Sequence, residues 1–202
     1  MNRDLVLASS NKGKLAELQN LLADSGFQLI SQAELGVEDA VEDGLSFVEN
    51  ALIKARHAAR VTGKAAIADD SGLCVDALQG APGIHSARFA GEHGNDQKNN
   101  ALLLERLQQV PDDQRGAQFV CVLAMVRHAD DPLPLICEGR WRGSILRQPR
   151  GEQGFGYDPL FLSPQQKLSS AELDRDVKNR VSHRARALQT LLQQIPDFID
   201  PV

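Results

Sequence analysis

Two adjacent carboxylates, Asp69 and Asp70, follow the apolar run Ala65-Ala66-Ile67-Ala68 and precede Ser71-Gly72-Leu73-Cys74-Val75. A short unbroken apolar run of this kind reads as a strand buried on both faces. Successive strand side chains point to opposite faces, so the two aspartates serve different surroundings. An interior strand would carry at least one of them at its C-terminal lip, where open α/β sheets place ligands. A carboxylate there requires a cation or hydrogen-bond donors. The alternative is an Asx-turn, with the aspartates capping backbone amides ahead of Ser71-Gly72.

Cations stand in places where packing alone does not call for them. Ser9-Ser10-Asn11 are cap-type residues directly after the strand Leu5-Val6-Leu7-Ala8, and Leu15, Leu18 and Leu22 then recur at helical spacing. Lys12 and Lys14 therefore fall in a first helical turn, where they oppose the helix dipole. A phosphate on the helix N-terminus would account for them, and a solvated first turn is the alternative. The loop is not a Walker A motif, because Leu15 follows Gly13-Lys14. Lys54 sits about 60° from Ala51 on a helix whose stripe is Phe47, Ala51, Ala55 and Ala58, at the edge of the buried face. There it either snorkels to solvent or aims its ammonium into a cleft. Arg184 lies on the apolar stripe of the last helix (Leu188, Leu191, Leu192, Ile195), in its first turn, with His183 beside it.

Two further stretches complete the inventory. Glu34, Glu38, Asp39, Glu42 and Asp43 crowd a stretch without clear periodicity, read as a loop. Gly154-Phe155-Gly156-Tyr157-Asp158-Pro159 offers an aromatic ring between two glycines, a stacking platform for a base or a ring packed under a turn.

The elements that must position these groups are legible in outline. Ser46-x-x-Glu49 and Ser169-x-x-Glu172 are capping boxes, the second expected to open a helix with Leu173 and Val177 inward. Asn95 or Asp96 caps a helix with Ala101, Leu104 and Leu107 as its apolar residues, and Ser182 caps the last helix. Phe119 to Val126 and Leu133 to Ile145 read as a hairpin whose turn, at Pro132 and Pro134, lies at the sheet's rim. The 202 residues, 42% hydrophobic and 24% charged, suit one soluble domain with a real core. A net charge of -5 without a basic block speaks against bulk nucleic acid as a partner. Cys74, Cys121 and Cys137 are widely spaced in apolar sequence, fitting buried reduced thiols. Neither a signal peptide nor a membrane-spanning run is present, so the cytosol is the expected compartment.

Carboxylate clusters without the cysteine or histidine for zinc favour an oxygen-ligated metal, magnesium above all. Magnesium with lysines and a helix N-terminus implies a triphosphate, and an aromatic platform with His-Arg donors implies a base. The residues thus describe a magnesium-dependent nucleotide enzyme.

The chain also resembles the inosine/xanthosine triphosphate pyrophosphatases, hydrolases of deaminated purine nucleotides. The resemblance rests on an ordered set of motifs spanning nearly the whole chain. These are Ser9-Ser10-Asn11-Lys12-Gly13-Lys14, Glu42 with Glu49 to Ala55, Ala68 to Leu73, Pro82 to Arg88, Gly154 to Pro159, and Lys178 with Ser182-His183-Arg184. It implies an α/β fold with a long mixed sheet, helices around it and a cleft between two lobes, usually as a homodimer. It further implies hydrolysis of ITP, dITP or XTP to the monophosphate and pyrophosphate. By motif match, Asp70 would be the general base or the carboxylate that orients the water, sharing magnesium with Glu42. Ser9, Ser10, Asn11, Lys12, Gly13, Lys14, Lys54, Ser71 and Lys178 would hold phosphates or sugar. Phe155 would stack on the purine within Gly156-Tyr157-Asp158, with Asp158, His183 and Arg184 around the purine's edge. Donors there would pair with the 6-keto oxygen and be left unpaired by adenine, a contrast worth ~10⁴ or more. Ser10, where the family often has glycine, and Phe89, where it often has tyrosine, are the visible departures. Alternatives are a related pyrophosphatase for pyrimidine or methylated nucleotides, a non-catalytic nucleotide sensor, and a magnesium phosphomonoesterase.

Overall fold

The computed structural model describes residues 3–22 and 26–199, with the side chains of Arg3, Lys12, Leu21, Pro196, Asp197 and Ile199 outside the described set. Seven strands form one mixed sheet: β1 (Arg3–Ala8), β2 (Phe27–Ser31), β3 (Ala65–Val75), β4 (Gly116–Val126), β5 (Leu135–Ile145), β6 (Phe161–Ser163) and β7 (Leu168–Ser169). Their order is β2-β1-β3-β4-β5-β6-β7. β1 runs parallel to both β2 and β3, whereas β5, β6 and β7 pair antiparallel in sequence. The helices are α1 (Lys12–Leu22), α2 (Phe47–Thr62), α3 (Asp96–Arg106), α4 (Arg175–Val181) and α5 (His183–Ile199). No helix among the described residues is long and apolar enough to cross a membrane.

The chain divides into two compact units. The first comprises Met1–Asp70, Cys121–Gly139 and Arg184–Val202, and its core joins Leu5, Leu7, Leu18, Ile67, Leu123 and Leu191. The second comprises Ser71–Val120 and Arg140–His183, around Leu73, Leu103, Phe119, Trp141, Tyr157 and Phe161.

Local chemistry sets most element ends. Asn11 caps α1, its Oδ1 accepting from Lys14 N at 3.0 Å. Ser46 Oγ caps α2 by accepting from Glu49 N, and Gly63 closes that helix in the left-handed conformation at φ 66°. Asn95 caps α3 as the sequence implies.

Several expectations are corrected. Asp69-Asp70-Ser71-Gly72 is not a turn: β3 continues to Val75 beside β4, and past Ala68, where the β1 pairing ends, Leu73 N donates to Ser86 Oγ and Val75 N to Ala81 O. The register still places the aspartates at a lip, that of β1, whose last residue, Ala8, pairs with Ala68. Part of the acidic loop is a 3-10 helix, Gln32–Leu35, with Glu34 closing a capping box on Ser31. The Ser169–Glu172 box opens only a 3-10 turn, and α4 starts afresh at Arg175 behind Asp174. In α3 the buried positions are Asn99 and Leu103, with Leu107 buried at its C-cap, while Ala101 is exposed. In α5 Leu192 is largely exposed, and Phe198 extends the buried stripe in its place.

Candidate functional site

Asp69 and Asp70 meet separate partners within the first unit. Asp69, 1% exposed, receives Arg184 Nε on Oδ2 at 2.8 Å and Lys14 Nζ on Oδ1 at 2.9 Å. The Cys121 thiol also donates to Oδ2, at 3.1 Å. Arg184, 1% exposed, gives Nη1 to Glu17 of α1. Burial pushes the Asp69 carboxyl upward, but the Arg184 and Lys14 charges outweigh it and hold the group well below the ordinary carboxylate value. Burial and the neighbouring Asp69 charge drive the Cys121 thiol well up, so it remains protonated as a donor. The Asp69 carboxylate thus anchors Lys14 in the first turn of α1.

Asp70, 5% exposed, turns to the other side. Its Oδ1 accepts from Lys54 Nζ at 2.7 Å, and the same ammonium lies 3.1 Å from Glu42 Oε1. Burial raises the Asp70 carboxyl above its ordinary value despite the lysine. Burial opposes the Lys54 charge, yet Asp70 and Glu42 together raise its affinity for the proton. Asp70 Oδ2 is buried with no hydrogen-bond partner among the described residues. A buried carboxylate oxygen left unpaired is costly unless a cation or donor meets it. No group of three or more His, Cys, Asp and Glu side chains gathers among the described residues. Magnesium takes one or two carboxylates and completes its shell with waters and phosphate oxygens, so Asp70 Oδ2 and Glu42 fit its donor chemistry.

Other expected residues cluster within the second unit. Asp158, 3% exposed, accepts from Lys178 Nζ at 2.6 Å, Phe155 N at 2.9 Å and Ser170 Oγ at 2.7 Å. Lys178 Nζ also stands 5.2 Å from the Phe155 ring centroid, a cation–π distance. Lys178, assigned to phosphate or sugar by motif, therefore sits with the aromatic platform. Gly154, at φ 80°, packs against the Asp158 carboxylate so closely that a Cβ would collide with it. The hydroxyl of Tyr157 donates to Ser86 O at 2.9 Å, which makes Tyr157 a buried anchor of the loop. The His183 ring stacks on Phe119, with centroids 4.8 Å apart and planes 13° off parallel.

The remaining expected residues have simpler places. Ser9 Oγ accepts from Asn11 N at 3.2 Å, Ser10 is exposed, and Gly13 lies in α1. The Lys12 side chain lies outside the described residues. Ser71 is the half-buried residue of β3 after Asp70. His183 and Arg184, both expected around one base edge, are engaged by different groups. The ring lies on Phe119, whereas two guanidinium donors are held by Asp69 and Glu17, the partners a buried cation requires.

Sequence reasoning missed the groups that act at a distance. Asp96 Oδ2 accepts from Gly156 N at 2.6 Å, and Asn100, one turn on, donates to Gly156 O at 2.9 Å. Their i,i+4 spacing on α3 was the available signal. Glu17 and Cys121 carried none, being ordinary residues of an amphipathic helix and an apolar strand.

Sheet order and the acid–lysine cluster define the class: an α/β protein with a mixed sheet and a charged site on its third strand. A family model described as the Ham1 family matches residues 5–194. The chain belongs to that family. It is 58% identical over 193 residues to a dITP/XTP pyrophosphatase of Yersinia pestis, covering 96% of this chain and 98% of the relative. It is 57% identical over 191 residues to a dITP/XTP pyrophosphatase of Shigella flexneri, covering 95% and 97%. The solved structure of a HAM1 protein from Coxiella burnetii superimposes with a TM-score of 0.90 at 49% identity, over 98% of this chain and all of that one.

Proposed function

We propose that this protein is a magnesium-dependent hydrolase that converts ITP, dITP and XTP to the monophosphate and pyrophosphate. One observation carries the reading: adjacent aspartates are driven apart in acidity, and the more basic one, Asp70, keeps a buried, unpartnered oxygen beside Lys54 and Glu42. Two carboxyls tuned in opposite directions are a mark of an acid–base site. Relatives named dITP/XTP pyrophosphatases at 57–58% identity support the substrate class.

Asp70 orients a water and takes its proton as the water oxygen attacks phosphorus. The anhydride bond between the α- and β-phosphates breaks, and pyrophosphate leaves. Lys54 and Lys14 neutralise the phosphate charge, together with Ser9, Ser10, Asn11, Lys12, Gly13 and Ser71. Asp70 and Glu42 would hold magnesium, which would supply Lewis-acid stabilisation of that charge. Asp69, Arg184 and Glu17 keep Lys14 in place. Phe155 stacks on the purine, and Asp158 fixes both that loop and Lys178, whose ammonium serves the 6-keto oxygen with His183. The family match over 5–194 supports one functional domain for the whole chain. A cytoplasmic homodimer acting on free nucleotides, not nucleic acid, completes the reading.

The test is hydrolysis of ITP, XTP, ATP, GTP and dTTP with magnesium, with pyrophosphate and orthophosphate assayed separately. Pyrophosphate from ITP and XTP, with little from the others, is expected. Orthophosphate would make the protein a phosphatase, and binding without turnover would make it a sensor.

A further inference from the structure

Glu42 stands on an irregular segment between the 3-10 helix and α2, with no strand or helix of its own to fix it. A carboxylate on such a segment loses conformational freedom whenever it must meet a partner. Two successive turns of α2 limit that freedom. Lys54 holds the side chain, with Nζ 3.1 Å from Oε1. One turn earlier, at i−4 on the same face, Asn50 holds the backbone: its Oδ1 accepts from Gly44 N at 2.9 Å.

Asn50 is completely buried, and its Nδ2 has no hydrogen-bond partner among the described residues. A core position that leaves an amide donor unpaired is disfavoured, so its retention calls for an explanation. Gly44 meets Asn50 at a distance only glycine permits, since a Cβ there would lie 2.7 Å from Asn50 Oδ1 and 2.7 Å from Glu49 Cβ. Next in the chain, Glu49 Oε2 accepts from Leu45 N at 2.9 Å and from Ser46 Oγ at 2.7 Å, so the segment is tied down up to the helix start.

We propose that Asn50 is a positioning residue for the divalent-cation site, acting through Gly44 to fix the backbone from which Glu42 projects. The inference rests on the reading of Glu42 and Asp70 as cation ligands. Second-layer contacts that orient a ligand typically govern metal affinity by about 10–100-fold. Loss of the Asn50–Gly44 contact therefore weakens cation binding while leaving Asp70 and its chemistry in place.

The experiment measures Mn2+ affinity of the full-length protein by electron paramagnetic resonance titration. Alongside it come the Mg2+ concentration for half-maximal ITP hydrolysis, kcat at saturating Mg2+, and Tm. Asn50→Ala is expected to weaken Mn2+ about tenfold and raise the half-saturating Mg2+ equally, with kcat within about twofold of wild type. Gly44→Ala, which opposes the same contact from the other side, is expected to do likewise and decides the matter if Asn50→Ala does not fold. A lowered Tm with unchanged metal dependence would overturn the proposal and leave Asn50 a core residue. Glu42→Gln separates the two levels. If it leaves Mn2+ affinity intact, the cation-site reading itself fails. If it weakens Mn2+ while Asn50→Ala does not, only the positioning role is lost.

Discussion

Asp69 and Asp70 are consecutive in β3, yet Asp69 is bound by Arg184 and Lys14 while Asp70 is bound by Lys54. Strand alternation alone separates the two networks. The one is closed, with a cation on each oxygen of Asp69. The other is open at Asp70 Oδ2. The closed pair therefore acts as framework and the open one as chemistry.

Asp70→Asn is expected to lower kcat on ITP about 10³-fold, the usual scale for a lost general base, with the folded state retained by circular dichroism. The pH profile adds a signed test. Only the ionised carboxylate accepts a proton, so kcat/KM falls as pH drops through the Asp70 pKa. In the metal-free protein burial raises that pKa, which puts the acid limb at limiting Mg2+ above the ordinary carboxylate value of 3.8. Lys54 lowers it, so Lys54→Met should move the limb further toward neutral pH.

Asp69→Asn leaves Arg184 buried with half its compensation gone. Breaking a buried ion pair from one side costs about 3–5 kcal/mol, and urea denaturation at pH 7 should read that loss. The pH dependence follows from the depressed pKa of Asp69. Its stabilisation is present above the unfolded value near 3.8 and is lost as pH falls through the folded value. The wild type should lose this contribution in acid, whereas Asp69→Asn, already without it, should show a flatter profile there.

Much of this was written in local sequence. The caps at Asn11, Ser46 and Asn95 each work through the amide three residues on, and each is where its residue type implies. The buried, cationic start of α5 was visible because Arg184 breaks an apolar stripe. Its partner was not: Asp69 is 115 residues away, and no periodicity records a contact made only by the sheet order. Ser71-Gly72 misled for the complementary reason. Turn propensity is a local preference, and incorporation into a long strand beside β4 overrides it. Phe155 announced itself by its glycines, while the grip on Gly156 from α3 lay 60 residues upstream.

Arg184→Ala and His183→Ala should part company. Because Arg184 donates to Asp69 and Glu17, its loss should lower turnover on ITP and ATP in similar proportion and reduce Tm. His183→Ala should instead narrow the ITP-to-ATP ratio of kcat/KM, since a donor to the 6-keto oxygen discriminates by being left unpaired. Steady-state kinetics on both nucleotides checks the pair. Selectivity lost with Arg184 would place that guanidinium at the base, and unchanged selectivity without His183 would remove the ring from recognition.

Asp96 offers a test of whether the Phe155 platform is held in place beforehand or assembles with substrate. It accepts from Gly156 N at 2.6 Å, and Asn100 donates to the carbonyl of the same residue at 2.9 Å, so one residue is gripped through both of its backbone groups. Each hydrogen bond contributes about 1 kcal/mol net, rising to about 2 when the acceptor is charged. Asp96→Ala should free the loop and raise KM for ITP roughly tenfold, the factor that about 1.4 kcal/mol represents. kcat should change much less, since Asp70 is held on β3 by Lys54 and not by this loop. Asp96→Asn keeps an acceptor for Gly156 N and should recover most of the loss. A fall in kcat with KM unchanged would mean that the loop is set by the bound nucleotide and not by Asp96.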